Sequence, residues 1–346
     1  MSSMLHSTFR RIVPQLTILA VVLFINFLVF PDFFRIEFQN GRLFGNLIDV
    51  FNRGAPTALL CIGMTLVIAT RGIDLSVGAV MAIAGAVAAS LVVEGHTWQT
   101  ALIGALAVGG LCGLWNGILV SVLRIQPIVA TLVLMVAGRG IAQLVTEGTI
   151  LTFLDPGLIH LGAGTVVGIP TPILIWIVIG LAVTAIVRKT ALGMLIEAIG
   201  VNEEASRLAG INSRVLITTV YLVSGLCAAL AGVIVAADIK GADANNAGLW
   251  LELDAILAVV IGGNSLLGGR FSIIASLIGA LIIQSVNSII LLSGMPPEFN
   301  LVIKALIIIV ILIIQSPTVK HALYILRASA QPVSPELVQD LKEGTQ

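Results

Sequence analysis

Charge is scarce in this sequence of 346 residues. Only 10% of the residues are Asp, Glu, Lys or Arg, against about 25% in an average soluble domain. So little charge excludes a water-soluble enzyme, and the lack of a basic face excludes a nucleic-acid-binding protein. The 18 basic residues balance the 18 acidic ones, so the net charge of zero indicates no particular partner.

Cysteine, histidine and enzymatic motifs are also lacking. Cys61, Cys112 and Cys227 lie in three different apolar runs, and neither a disulfide framework nor a C-x-x-C zinc site fits their spacing. The four histidines are far apart in the sequence. Phosphate-binding loops, H-E-x-x-H, G-x-S-x-G and dinucleotide fingerprints are absent. We therefore expect no metal site, no bound cofactor and no catalytic residue in this chain.

Apolar residues are abundant: they make up 58% of the chain, and the mean hydropathy is +1.09. That number of apolar residues is enough for about ten helical spans of ~20 residues each. A membrane β-barrel would need short segments of alternating polarity, but the apolar runs here are long and unbroken, as in residues 59–70. The sequence thus predicts an all-α polytopic membrane protein.

We predict ten membrane spans. They cover approximately residues 12–30, 55–70, 75–93, 100–123, 126–146, 171–187, 215–237, 255–268, 272–292 and 301–315. The first span has no small-residue cleavage site at its end, which favours an uncleaved span over a signal peptide. The eighth span is short and contains Gly262-Gly263, so it is a candidate for a broken or re-entrant helix. Residues 31–54 fit either an interfacial helix or a folded-back pair.

The basic residues set the expected orientation. With both termini inside, twelve Lys and Arg residues fall on the inner side and four on the outer side, as the positive-inside rule requires. A transmembrane domain over 1–316 is then followed by a cytoplasmic tail, ordered or disordered, over 317–346.

A weak internal repeat of two halves accompanies this topology. Residues 68–86 align with residues 259–277, which pairs Gly72 with Gly263 and Gly78 with Gly269. Repeated halves are common in transporters.

The one long polar inner loop, residues 188–214, encodes a short surface helix over 203–209. Asn202 suits its N-cap, Glu203 and Glu204 suit its first turn, and Gly210 suits its C-terminal cap. The helix is either a surface element without a partner or a docking element for a cytoplasmic subunit.

Few polar side chains lie within the predicted spans. The acidic residues all fall in loops or near span ends, which disfavours an ion-coupled carrier, because such a carrier is expected to hold carboxylates at mid-membrane depth. The remaining polar groups either contact a hydroxyl-rich substrate or hold helices together. The candidate pathway residues are Asn116, Thr131, Arg139, Gln143, Gln284 and Asn287.

The outer segment over 241–254 is rich in amide and carboxylate groups. It is either a solvated loop or a mouth at which Asn245, Asn246 and Trp250 meet a delivering protein.

Three motifs resemble the permeases of bacterial sugar ABC importers of the ribose, xylose, arabinose and galactose type. They are GIDLSVGAVMAIAGA (72–86), EAIGVNEEASRLAGI (197–211) and ELDAILAVVIGGNSLLGGR (252–270). Within that family, residues 41–45, 189–194 and 241–263 are similar to permeases of galactofuranose importers. The family motif residues are Gly72, Asp74, Ser76, Gly78, Glu252, Asp254, Gly262 and Gly263. Arg71 departs from the family pattern, which has glycine there.

The resemblance implies a permease subunit of the bacterial inner membrane that translocates a monosaccharide, galactofuranose, by alternating access. It implies three partners: a second and different permease chain, a periplasmic sugar-binding protein, and a cytoplasmic ATPase that binds ATP and magnesium. It also implies that the short inner helix couples to that ATPase, through Asn202, Glu203, Glu204, Arg207 and Gly210. Permeases for ribose, xylose or other sugars, and an ion-coupled sugar carrier, remain as alternatives.

Overall fold

The computed structural model describes residues 2–39, 41–294, 296 and 298–315. Of these described residues, 74% are helical, as expected where a bilayer leaves backbone groups no partner except each other. In chain order the elements are α1 (Ser2–Val29), a 3₁₀ turn (Pro31–Phe34), β1 (Glu37–Gln39), β2 (Arg42–Phe44), α2 (Asn46–Arg53), α3 (Ala55–Ala69), α4 (Val77–Val93), α5 (Trp98–Ser121), α6 (Pro127–Val145), β3 (Leu151–Thr152), α7 (Pro156–Ala163), β4 (Thr165–Val166), β5 (Ile169–Pro170), α8 (Thr171–Lys189), α9 (Leu192–Val201), α10 (Glu203–Leu208), α11 (Ser213–Ile239), β6 (Gly241–Ala242), α12 (Leu251–Ile261), α13 (Ile273–Leu292) and α14 (Glu298–Gln315).

Each of the ten predicted spans falls on a helix of the structure. Within the described residues, six helices are long and apolar enough to cross a bilayer: α1, α5, α6, α8, α11 and α13. Helices α2 and α3 meet at a 42° bend and together form a seventh candidate, while α4 is shorter. The fold class is therefore a mostly helical, polytopic membrane protein.

Helix α11 lies at the centre of the unit formed by Met1–Ser293 and packs against α3, α4 and α5. Glycines let these backbones approach closely. A Cβ at Gly113 on α5 would lie 2.4 Å from the Tyr221 carbonyl oxygen of α11, and one at Gly225 on α11 would lie 2.2 Å from the Gly109 carbonyl oxygen of α5. A Cβ at Gly232 would lie 2.2 Å from the carbonyl oxygen of Met81 on α4.

Helix α1 contacts the end of α12 and packs against α13, and it bonds to each through one buried polar side chain. Gln15 Nε2 donates to the Gly262 carbonyl oxygen at 2.9 Å, and Asn26 Nδ2 donates to the Ser285 carbonyl oxygen at 3.4 Å. Over residues 12–29, most of the other α1 side chains are exposed, as expected of an apolar surface that meets lipid.

Residues 31–54, for which the sequence left two interpretations open, combine a hairpin with a short helix. Strands β1 and β2 pair antiparallel, with Glu37 opposite Phe44. The Leu43 backbone N–H donates to the Gly168 carbonyl oxygen, which joins this hairpin to the turn between β4 and β5. Helix α2 follows, and α3 begins at Ala55.

The interruption predicted in the eighth span is present. Helix α12 ends at Ile261, well before the predicted end at residue 268, and α13 begins at Ile273. Gly263 has a φ of +79°, a left-handed conformation that favours glycine.

The second unit is Gly294–Gln346, of which residues 294, 296 and 298–315 are described. It contains α14, whose sequence is largely apolar. The predicted tail over 317–346 lies outside the described residues.

Candidate functional site

The loop between α3 and α4, residues 70–76, surrounds one buried carboxylate and is called the Asp74 loop below. Asp74 is 2% exposed. Its Oδ1 accepts hydrogen bonds from the Ser76 backbone N–H at 3.1 Å and the Ser76 hydroxyl at 2.6 Å. Its Oδ2 accepts one from the Ser224 hydroxyl of α11 at 2.8 Å. Asn116 Nδ2 of α5 donates to Ser76 Oγ at 2.8 Å, so the loop is tied to two helices.

Further contacts of the Asp74 loop come from α6 and α11. Thr131 Oγ1 of α6 accepts the Leu75 N–H at 3.1 Å. Tyr221 of α11 is fully buried, and its hydroxyl has no hydrogen-bond partner among the described residues. A Cβ at Gly72 would lie 2.5 Å from that hydroxyl oxygen, so glycine at this motif position leaves room for the tyrosine.

Gly78, the next motif glycine, begins α4 in contact with the outer segment over 241–254. A Cβ there would lie 2.4 Å from the Gly248 carbonyl oxygen and 2.5 Å from Glu252 Oε2. Glu252 and Asp254 are each 4% exposed in the first turn of α12. Both carboxylates are therefore buried, although they lie near the end of a predicted span.

The loop between α12 and α13, residues 262–272, is built on Asn264 and is called the Asn264 loop below. Asn264 Oδ1 accepts the Ser272 backbone N–H at 2.7 Å. Its Nδ2 donates to the Val259 carbonyl oxygen at 3.1 Å and to Ser276 Oγ at 2.8 Å. Thr65 Oγ1 of α3 donates to the same Ser276 hydroxyl at 2.7 Å, which links the loop to α3.

The two loops meet where α9 ends. The Gly269 N–H donates to the Ala69 carbonyl oxygen at 3.0 Å. A Cβ at Gly200 would lie 1.9 Å from that carbonyl oxygen and 2.5 Å from the Gly269 nitrogen. The backbone of α9 therefore touches the last residue of α3 and the Asn264 loop immediately before α10 begins.

The short inner helix forms as the sequence predicts. Asn202 Oδ1 accepts the Ala205 N–H at 3.0 Å, and α10 runs over Glu203–Leu208. Gly210 has a φ of +87°, which suits a helix C-cap. Glu204 and Arg207 form an exposed ion pair at 2.5 Å, and hydrogen bonding to Arg207 lowers the pKa of the Glu204 carboxyl.

A cavity of about 390 Å³ lies beside α10. Residues from the Asp74 loop, the α5–α6 loop, α9, α10 and α11 line it, among them Arg71, Arg124, Glu203 and Tyr221. Helix α10 and the Asp74 loop therefore border the same cavity.

The outer segment over 241–254 is held against α6. Arg139 Nη1 donates to the Ala247 carbonyl oxygen, and Gln143 Nε2 donates to Asn245 Oδ1 at 2.7 Å. Within the segment, hydrogen bonding from Asn246 lowers the pKa of the Asp243 carboxyl. Trp250 remains half exposed.

The six candidate pathway residues thus lie in three places. Asn116 and Thr131 support the Asp74 loop, and Arg139 and Gln143 hold the outer segment. On α13, Asn287 Nδ2 donates to Gln284 Oε1 at 3.4 Å. Asn116, Thr131, Arg139 and Gln143 thus all bond to other segments of the protein. Such bonds are what the interpretation of these residues as groups that hold helices together expects.

Four residues that hold the two loops were not among the candidate site residues: Ser224, Asn264, Ser276 and Gly200. Ser224 lies 150 positions from Asp74 in the sequence, and Ser276 lies 211 positions from Thr65. Serines are common on apolar helices, so only the polarity of their helix faces could have pointed to Ser224 and Ser276. Asn264 and Gly200 lie within two of the family motifs, over 252–270 and 197–211.

The long apolar helices and the buried polar loops between them define the class of this molecule: a helical membrane protein with several spans. The sequence over residues 46–312 matches the family described as branched-chain amino acid transport system / permease component. The chain belongs to this family of transport-system permeases, and it is a multi-pass protein of the bacterial inner membrane.

Curated relatives are similar to almost the whole chain. The galactofuranose transporter permease protein YtfT of Escherichia coli (strain K12) is 60% identical over 88% of this chain and 89% of its own length. The fructose import permease protein FruF of Bifidobacterium longum is 41% identical over 87% and 88%. The ribose import permease protein RbsC of Escherichia coli (strain K12) is 38% identical over 89% and 93%. No solved structure matches the chain.

Proposed function

We propose that this chain is the translocating permease subunit of a bacterial sugar ABC importer and that its substrate is galactofuranose. The observation that carries the proposal is the 60% identity with a galactofuranose transporter permease over nearly the full length of both chains. The family resemblance in the three motifs supports the same conclusion.

The family description names branched-chain amino acids, whereas the three relatives above are sugar permeases. Sugar transport is favoured because the identity to those relatives extends over at least 87% of this chain. Ribose and fructose are the alternative sugars, at 38% and 41% identity to their permeases.

In the proposed topology all ten helical segments cross or enter the membrane, with both termini inside. The six long helices would be complete spans. The α2–α3 pair, α4, α12 and α14 would supply the other four. The excess of Lys and Arg on the inner side supports this orientation. The Asp74 loop and the Asn264 loop, each at the end of an apolar helix, would be the corresponding parts of the two repeated halves.

The energy for transport would come from a separate cytoplasmic ATPase that binds ATP and magnesium. The capped, exposed helix α10 is the proposed docking element for it, with Asn202, Glu203, Glu204, Arg207 and Gly210 as the coupling residues. A rigid-body movement of α10 would reach the spans through Gly200, which touches the end of α3 and the Asn264 loop.

Two further partners belong to the proposal. A periplasmic sugar-binding protein would dock at the outer segment, where Asn245, Asn246 and Trp250 are exposed. A second, different permease chain would complete the translocation pathway. Selectivity can then reside in the binding protein, so the permease itself needs no tight sugar site.

The test is sugar uptake by the assembled importer in membrane vesicles. We expect uptake of galactofuranose to require ATP and to exceed uptake of ribose and fructose. Reversing the charges of α10 together (Glu203→Lys, Glu204→Lys, Arg207→Glu) should abolish uptake and sugar-stimulated ATP hydrolysis. The matched control reverses the exposed Arg35–Glu37 ion pair, whose atoms lie 2.9 Å apart on the hairpin.

Two results would contradict the proposal. Uptake that survives ATP depletion but collapses with the proton gradient would identify an ion-coupled carrier. Unchanged uptake and ATP hydrolysis in the charge-reversed α10 variant would remove the coupling role from that helix.

A further inference from the structure

Arg71 has a backbone conformation that an arginine adopts at a cost. Its φ is +64°, in the left-handed region where glycine is favoured. A side chain that remains under such a cost needs compensating contacts, so its partners matter.

The compensating contacts join three segments of the chain. Arg71 Nε donates to the Leu267 carbonyl oxygen in the Asn264 loop at 3.0 Å. Arg71 Nη2 donates to the Val201 carbonyl oxygen at the end of α9 at 2.5 Å. The stem of Arg71 packs against Gly268, where a Cβ would lie 2.5 Å from Arg71 Cγ. One side chain thus connects the Asp74 loop, the Asn264 loop and the residue two positions before α10.

Both acceptors are backbone carbonyls, so the contacts depend on direction more than on charge. The planar guanidinium presents several N–H donors in fixed directions, and it can hold two carbonyls at once. A lysine has a single compact ammonium group on a flexible stem and cannot fix two acceptors in the same way.

We propose that Arg71 is a positioning residue that fastens the end of α9, and with it α10, to both loops, so that a movement of α10 displaces the two loops together. This role rests on the proposed function for its link to ATP hydrolysis.

The first test concerns this chain alone and is independent of transport. Hydrogen exchange is measured across residues 198–209 in detergent for Arg71→Gly and Arg71→Lys. The control is Arg270→Gly, because Arg270 is another exposed arginine and lies within the Asn264 loop. We expect several-fold faster exchange in 198–209 for Arg71→Gly, an intermediate effect for Arg71→Lys, and no change for the control.

The second test uses the complete importer in vesicles and compares sugar uptake with ATP hydrolysis. For Arg71→Gly we expect at least a threefold fall in sugar taken up per ATP hydrolysed, with thermal stability unchanged or raised because glycine suits the backbone at this position. A purely structural role would instead lower stability and leave the ratio unchanged.

The outcomes separate the two proposals. Unchanged exchange in 198–209 for Arg71→Gly, or a ratio equal to that of the unsubstituted importer, overturns the role of Arg71. A fall in the ratio accompanied by a matching loss of thermal stability also overturns it. Absence of ATP-dependent sugar uptake by the unsubstituted importer overturns the proposed function, and the exchange test still decides whether Arg71 fastens α10.

Discussion

The Asp74 loop and the Asn264 loop are each organised by one buried polar side chain, a carboxylate in the first and an amide in the second. Each follows the end of an apolar helix and places one buried polar side chain so that it accepts a backbone N–H: that of Ser76 in the first and of Ser272 in the second. The carboxylate of Asp74 accepts three hydrogen bonds from the described residues, whereas the amide of Asn264 both accepts and donates.

This difference determines how distant in the sequence the hydrogen-bond partners of each loop are. A buried carboxylate needs several donors, and Asp74 takes one of them from Ser224 on α11. Asn264 is satisfied by groups between Val259 and Ser276, close to it in the sequence. The Asp74 loop is thus a tertiary structure that depends on α11, while the Asn264 loop is largely a local one.

The largest expected effect comes from removing the two central side chains. Asp74→Ala leaves three donors without their acceptor and should lower the free energy of unfolding by about 4 kcal/mol. Asn264→Ala should cost about 2 kcal/mol, because its neutral partners lose less. Thermal unfolding of both variants in detergent measures the difference, and equal losses would contradict the distinction between the two loops.

The next effect tests the place where the loops meet. Gly200→Ala puts a methyl group 1.9 Å from the Ala69 carbonyl oxygen and should cost about 3 kcal/mol by overpacking. Gly140→Ala on α6 is the matched control, because a Cβ there has no described atom within 4 Å. The control should be neutral or slightly stabilising, since alanine favours a helix. If the Gly200→Ala protein is as stable as the control, the contact between the α9 backbone and the Ala69 carbonyl oxygen does not require glycine at position 200.

The smallest effect compares one helix hydroxyl that bonds to each loop, Ser224 on α11 and Ser276 on α13. Ser224→Ala removes a hydrogen bond to a carboxylate and should cost about 2 kcal/mol, whereas Ser276→Ala removes bonds between neutral groups and should cost about 1 kcal/mol. Both serines are buried at 1% exposure or less, so solvent does not replace either bond. Denaturant unfolding of both variants in one detergent measures the two free-energy losses. A larger loss of stability for Ser276→Ala than for Ser224→Ala would contradict the expectation that the bond to the charged Asp74 is the stronger one.

The helices and the inner helix cap were predictable because they depend on local sequence. Long apolar runs predicted the helices, and Asn202 with Gly210 predicted the ends of α10, which the structure places at Glu203 and Leu208. The glycines of residues 72–78 were found as a motif. Their reason, the space taken by Tyr221 and Gly248, was not predictable, because both partners come from distant segments.

The site residues show the same limit. Asn116 and Thr131 were candidates because they are polar within apolar spans, and that signal does not distinguish a substrate contact from support of a loop. The structure joins both to the Asp74 loop. Arg71 was noticed only as a departure from a glycine, and its two carbonyl partners lie 130 and 196 positions away.

The sequence by itself determined that this protein is an apolar, helical membrane protein of a permease family, because hydropathy, charge asymmetry and motifs act over short stretches of chain. Only the tertiary structure decided which polar groups meet: Asp74 with Ser224, Thr65 with Ser276, and Arg71 with Val201 and Leu267. The physical reason is that a group buried in an apolar interior must find a partner wherever the packing of the helices places one.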